Sequence, residues 1–374
     1  MPAARLASSA AMALTTFLMV LVTGRVYGTS TALAAGVLYL LMPRVIGHSR
    51  IAGLETLTTL AWFAALYPLM IWWTRERPPT VLQAAISGAL WGLLMLTKIQ
   101  GVFLPPVINV FAFWQLRMRA FVPLSIMAVS GMAVFFGGWP WLWLDPVNNL
   151  TSYLMSTTDR LVINNWYLAE RYEDRNTPFH FPFVMMAVTV PLSTVCCLGL
   201  RLIRWRLDSI ERLLLVSVVI PMLVFAWPGT PVYDGTRLFL FVTPALSILS
   251  ARGLMLLLSG HLPAAGESES AGQASSLRMT RPLVLIAGLL LLTDVVLTIP
   301  RLGPFAGDAY NVVGRLLPAE SETFEVSYWE DALNGDFWEQ VPEGSTVAVA
   351  PVLHGVRLQD LSLIHISEPT RPSP

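Results

Sequence analysis

An acid, a glycine and a base fall within four residues at Asp234, Gly235 and Arg237, in the stretch PVYDGTRLFLFVTP (231–244). Arginine makes charge-assisted contacts to phosphate, and a neighbouring aspartate can hold that arginine or accept from a sugar hydroxyl. The plainer alternative is an interfacial turn leading into a helix. Glu55 closes the stretch PRVIGHSRIAGLE (43–55) and also carries two readings. It is a first-turn acid favoured by the helix dipole, or an outward-facing carboxylate near His48 and Arg50 that accepts a proton or orients an acceptor. Lys98 sits in LLMLTKIQGVFLPP (93–106). Burying its ammonium at a bilayer centre costs about 2.5 to 3.5 kcal/mol, so it should reach an interface. There it either snorkels at a helix end or binds a phosphate-bearing ligand.

The elements that must position these residues are set by composition. Hydrophobic residues make up 55% of the 374 and charged residues 13%, with a mean hydropathy of +0.60, far from an ordinary soluble domain. Apolar runs at 7–24, 29–42, 56–73, 81–97, 102–116, 121–138, 181–200, 213–227, 238–258 and 283–299 predict about ten helices in an all-α, polytopic transmembrane bundle. Lys plus Arg equal Asp plus Glu at 24 each, which gives no support for a nucleic-acid partner. The adjacent pair Cys196 and Cys197 suits neither a structural disulfide nor a metal site.

Arginines assign the sides. Arg25, then Arg75 and Arg77, then Arg117 and Arg119, then Arg201, Arg204, Arg206 and Arg212 fall in alternate loops, which the positive-inside rule makes cytoplasmic. Glu55, Lys98, the segment 139–180 and the Asp234/Arg237 turn then share the opposite face. On that face, WPWLWLDP (139–146) suits a membrane interface. The following NNWYLAERYEDRNTPFHFPF (164–183) could cover a sugar or be a solvated loop. Arg252 and Asp294 lie inside apolar runs with no partner evident from the sequence.

The expected domains are a transmembrane core at 1–299 with a flexible cytoplasmic linker at 259–281, then the start of a small α/β extracytoplasmic domain at 300–360. VPEGSTVAVAP (341–351) reads as a turn and a strand within it. LSLIHISEPTR (361–371) looks like a translated sequencing adapter, so 361–374 are set aside and the natural protein is expected to continue past about Asp360.

No P-loop, dinucleotide fingerprint, HExxH or CxxC is present. Instead GHSRIAGLETLTTLAWFAAL, GLLMLTKIQG, WPWLWLDP, NTPFHFPFVMMAVTVPL, YDGTRLFLFVTPAL and FEVSYWEDALN, in this order, resemble the polytopic GT-C glycosyltransferases that use polyprenyl-phosphate sugars. Protein O-mannosyltransferases and lipid A aminoarabinose transferases belong to that group. The resemblance extends from about Arg5 to Asp360.

It implies transfer of a sugar from a polyprenyl-phosphate donor to a protein, lipid or glycan acceptor on the extracytoplasmic face, in a multi-pass protein of a bacterial cytoplasmic membrane facing the periplasm or exterior. Under it Glu55 is the catalytic acid, at a position usually held by aspartate. Lys98 and Arg237 bind the donor phosphate, and His48, Arg50 and Asp234 lie at the substrate. No cofactor is implied, and metal assistance is left open. The family's first outer loop, with its own carboxylate, has no counterpart here, since the first apolar run resembles the family's second helix. The sequence is therefore expected to be a fragment, inactive alone. The rivals are a transporter or lipid flippase, which would show an internal repeat and broken helices, and a non-catalytic membrane scaffold.

Overall fold

In a computed structural model, described for residues 2–156, 162–204, 206–259, 309–316 and 323–324, the apolar runs become helices. The first are α1 (Pro2–Tyr27), α2 (Thr29–Leu40), α3 (Pro43–Ser49) and α4 (Glu55–Pro68), the last extended by a π-helical turn, Leu69–Trp73. Then come α5 (Val81–Thr97), a 3₁₀ turn at Ile99–Phe103, α6 (Leu104–Leu116), α7 (Phe121–Gly137), and the short α8 (Pro140–Leu144) and α9 (Pro146–Met155). After a hairpin of β1 (Asn164–Tyr167) and β2 (Glu170–Glu173) follow α10 (Phe181–Thr189), α11 (Leu192–Ile203), α12 (Ser209–Phe225), α13 (Thr243–Ser259) and α14 (Val312–Leu316).

Local chemistry sets these boundaries. Thr80 and Gln83 form a reciprocal capping box at the start of α5, and Asp208 and Glu211 form another at α12. Prolines end one expected span, at Met42, and break another, 181–200. Met42 is extended before Pro43, and Val190 is extended before Pro191, because the residue ahead of a proline is pushed out of the helical region. Thus α2 and α3 bend by 69°, and α10 and α11 by 117°. The run 181–200, expected as a single helix, is two.

Among the described residues, four helices are long and apolar enough to cross a membrane, or up to six if each bent pair is one span. One of them, Ile99–Gly137, covers 39 residues, about 58 Å of helix against a hydrocarbon core of about 30 Å. It is broken at Arg117, whose φ of 53° is not helical, and this separates α6 from α7.

Small residues bring the helices together. A Cβ on Gly88 of α5 would lie 2.2 Å from the Met127 carbonyl of α7, and one on Gly131 of α7 would lie 2.2 Å from the Trp91 ring of α5. Gly253 of α13 rests in the same way on the Cys197 carbonyl of α11. Such contacts drive helix association where surrounding lipid is as apolar as the helix surface. Trp62, Trp73, Phe63 and Phe111 fill the interior, while Phe17, Leu33, Leu82, Leu93, Val122 and Val129 point outward, as lipid-facing positions would.

The hairpin is the exception to an all-helical chain. β1 and β2 pair antiparallel with Asn165 opposite Tyr172 and Tyr167 opposite Glu170. Leu168 and Ala169 join them, both at positive φ, as a two-residue turn of matching twist requires. Tyr167 is fully buried between Phe181 and Phe324. α14 docks on α10 through Asn311, whose amide reaches the Ala187 and Val190 carbonyls at 2.7 Å.

By compactness the chain divides into 1–329 and 330–374, and the second unit lies outside the described residues. So do most of the linker 259–281, the run 283–299 with Asp294, the strand expected at 341–351 and the segment 361–374.

Candidate functional site

Glu55, Lys98 and Arg237 come from three separate parts of the chain and meet. Each stands where an apolar segment begins or ends. Glu55 is the first residue of α4, Lys98 is the extended residue between α5 and the following 3₁₀ turn, and Arg237 opens the 3₁₀ turn that leads into α13. The Lys98 ammonium lies 3.1 Å from Glu55 Oε1, and Arg237 Nε donates to the same oxygen at 2.7 Å. Arg237 Nη1 donates to Asp234 Oδ2 at 2.7 Å, and its guanidinium stands 5.8 Å from the centre of the Tyr233 ring.

Glu55 is thus a first-turn acid of α4 that also holds two cations. No side chain caps α4, and the carboxylate, 3% exposed, is spent on two cations that are each about one-fifth exposed. Both bonds fall on Oε1, which leaves Oε2 as the oxygen able to take a proton. Oε2 abuts Gly53, where a Cβ would come within 2.4 Å of it. Burial pulls the Lys98 ammonium below the usual lysine value, and the Glu55 charge opposes that pull.

The remaining expected residues divide. Asp234 holds Arg237, from a backbone at φ 54° that is followed by Gly235 at φ 60°. His48 is buried on α3, within range of the charges of Glu55, Arg44, Arg237 and Lys98. Arg50 is exposed at the C-terminal cap of α3.

Beside Lys98 lies a cavity of about 480 Å³, lined by Leu96, Thr97, Lys98, Trp139, Tyr153 and Ser156 among others. Its far wall is Gly138, Trp139, Tyr153 and Ser156, so one residue of the tryptophan-rich stretch borders the cavity. Burial raises the Tyr153 phenol to about 12, which keeps it a neutral hydrogen-bonding group. Among the described residues no group of three or more His, Cys, Asp or Glu side chains is placed to hold a metal ion.

The sequence reading missed a second cluster. Arg252, which had no evident partner, donates to Glu211 Oε1 at 3.0 Å, lies 3.7 Å from Asp208 Oδ2 and stacks 4.1 Å over the Tyr27 ring. Arg201 donates through Nε to the same Glu211 oxygen at 2.6 Å and through Nη2 to Oε2, and Tyr27 donates to Asp208 at 2.8 Å. Its one legible signal was a charge that an apolar helix could not leave unpaired.

A family model described as dolichyl-phosphate-mannose-protein mannosyltransferase matches residues 1–143. Among solved structures, ArnT from Cupriavidus metallidurans bound to undecaprenyl phosphate superposes with a TM-score of 0.53 at 14% identity, covering 81% of this chain and 59% of that one. This chain has the ArnT fold. The apo form of ArnT gives a TM-score of 0.51 at 13% identity over 81% of this chain and 58% of that one. The chain thus spans less than two thirds of ArnT's length. No curated protein sequence matches it. The four to six described helices that are long and apolar enough to cross a membrane mark it as an integral membrane protein.

Proposed function

We propose that this chain is the membrane portion of a glycosyltransferase that moves a sugar from a polyprenyl-phosphate donor to an acceptor hydroxyl at the membrane surface. The observation that carries the reading is the convergence of Lys98 and Arg237 on Glu55 Oε1 at 3.1 and 2.7 Å, at one end of the bundle. Two cations, each about one-fifth exposed, about a carboxylate form a site that an anionic phosphate can enter by exchanging with Glu55. The similarity of fold to ArnT, which binds undecaprenyl phosphate, and the match to the mannosyltransferase family support that ligand class.

In this mechanism Lys98 and Arg237 take up the donor phosphate and stabilise the charge that grows on it as the glycosidic bond breaks. Asp234 keeps the arginine fork aimed. Glu55, released from its cations as the phosphate replaces it, accepts the acceptor hydroxyl's proton on Oε2 while the hydroxyl oxygen attacks the anomeric carbon, which inverts the centre. The leaving group is the polyprenyl phosphate. The arginine-rich loops then lie on the cytoplasmic side and the Glu55 cluster faces the exterior or periplasm. Whether the sugar is a hexose or a pentose follows from the acceptor and donor assays rather than from these residues.

The test is transfer of radiolabelled sugar from polyprenyl-phosphate donors by the full-length protein in lipid nanodiscs. Glu55→Gln should lower kcat by roughly 10²-fold or more, the scale of a lost general base, with donor KM little changed. Arg237→Ala should chiefly raise donor KM. Unchanged turnover in both variants, with the wild type active, would remove these residues from the site.

A further inference from the structure

We infer that Asn165 of β1 is a positioning residue, which acts with the Asp174 backbone to grip Val232 from two sides and fix the turn 233–237 that presents Arg237. The inference rests on the reading of Arg237 as a phosphate ligand.

The Asn165 side-chain amide donates to the Val232 carbonyl, and the Val232 N–H donates to the Asp174 carbonyl at 3.0 Å. The Asp174 N–H in turn donates to the Ile163 carbonyl at 2.8 Å, one step past the Asn164–Glu173 pair. Val232 is thereby stitched to the open end of the hairpin as a third, one-residue rung. Thr177 closes the arrangement. It accepts the amide of Asn165 at 3.3 Å and donates to the Asp174 carbonyl at 3.3 Å. Asn165, Asp174 and Val232 are all at or below 1% exposure, so these bonds do not compete with water.

The turn beyond Val232 needs such a hold. Asp234 and Gly235 sit in succession at φ 54° and 60°, and the left-handed region costs a residue with a Cβ about 1 kcal/mol or more. Strain of this kind persists only where neighbours over-determine the backbone. On the exit side Arg237 bonds Asp234 and Glu55, but a phosphate that takes Arg237 displaces Glu55 and so gives up one of these bonds. The hairpin grip lies on the entry side, in bonds of Asn165 and the Asp174 and Val232 backbone rather than of Arg237, and so remains in place when the arginine changes partner. A loop that reads as mere cover in the sequence becomes the anchor of the phosphate-binding arginine.

The test uses the full-length protein in nanodiscs, with undecaprenyl phosphate as the probe. Asn165→Asp keeps the shape but turns the donor atom into an acceptor facing the Val232 carbonyl. It should speed amide exchange across 232–237 by roughly ten-fold and weaken undecaprenyl phosphate binding by roughly ten-fold, the scale of a lost buried hydrogen bond. Because the effect runs through Arg237, the double variant with Arg237→Ala should bind no more weakly than Arg237→Ala alone. A general loss of stability would instead multiply the two losses and overturn the inference, as would unchanged exchange in 232–237 or unchanged binding. Should Asn165→Asp fail to fold, Thr177→Val reads out the same two quantities, with changes of roughly three-fold expected. A wild type that does not bind undecaprenyl phosphate would sink the proposed function, whereas the exchange measurement judges the grip on its own.

Discussion

The two cations share one oxygen of Glu55, and this asymmetry sets the chemistry of the site. Oε1 is held by Lys98 and Arg237, and Oε2, which the proposed mechanism uses as the base, rests against Gly53. Gly53→Ala would put a methyl 2.4 Å from that oxygen. The clash is with the far end of a flexible side chain, so the fold should survive and the carboxylate should move. Transfer should fall by roughly ten-fold or more, in line with small misplacements of catalytic groups, with no shift in the thermal midpoint. Lys98 gives a pH test. Burial lowers its pKa from the ordinary lysine value, so the ammonium loses its proton earlier than a free lysine as pH rises. Donor KM should therefore climb on the alkaline side, and Lys98→Arg, whose guanidinium keeps its charge, should move that climb to higher pH. Glu55, Lys98, Asp234 and Arg237 were legible in the sequence because a charge at the edge of an apolar run has few other uses. Arg252 was visible as a charge, but its partners Glu211 and Asp208 lie 41 and 44 positions earlier, and no local pattern joins them.

Helices were largely legible as runs, whereas their breaks were not. Proline marks a break in the sequence, but the size of the bend depends on what each half packs against. The two cases here bend by 69° and 117°. The hairpin escaped notice because Leu168 and Ala169 are not the Asn-Gly or Gly residues that announce a tight turn. At this scale the close pairing of α5 and α7 makes a firm prediction. Gly131→Ala would drive a methyl to within 2.2 Å of the Trp91 ring and 2.9 Å of the Gly88 carbonyl. With backbone on one side and a buried indole on the other, neither can yield easily. The thermal midpoint of the purified protein should drop, by the equivalent of about 1 to 3 kcal/mol for an overpacked contact. The Gly137 position, with nothing within 4 Å, supplies the control: Gly137→Ala should leave the midpoint nearly unchanged.

Two charged clusters occupy opposite ends of the bundle, and they divide its labour. Near the start of α1, Ser8 and Ser9 bond Gly53 and Ser49 beside the Glu55 site. At its other end Tyr27 bonds Asp208, and Arg25 bonds Tyr67 late in α4. Along α13, Arg252 stands nine residues past Thr243, about 13 Å of helix, so the second cluster cannot touch the first. It ties α1, α11, α12 and α13 at that end through Tyr27, Arg201, Asp208, Glu211 and Arg252. Removing Glu211 alone leaves two buried guanidinium groups facing each other. Glu211→Gln should accordingly destabilise the protein by about 3 to 5 kcal/mol, the cost of breaking a buried ion pair from one side. Replacing Arg201, Glu211 and Arg252 together by Met, Leu and Met removes the charges and their desolvation cost at once, and should recover most of that loss. The decisive measurement compares unfolding midpoints of the single and triple variants beside undecaprenyl phosphate binding by the folded protein. If the cluster is a helix tie, the midpoint falls and returns while binding holds at the wild-type level throughout. A loss of binding that the triple variant does not restore would mean that the two ends communicate.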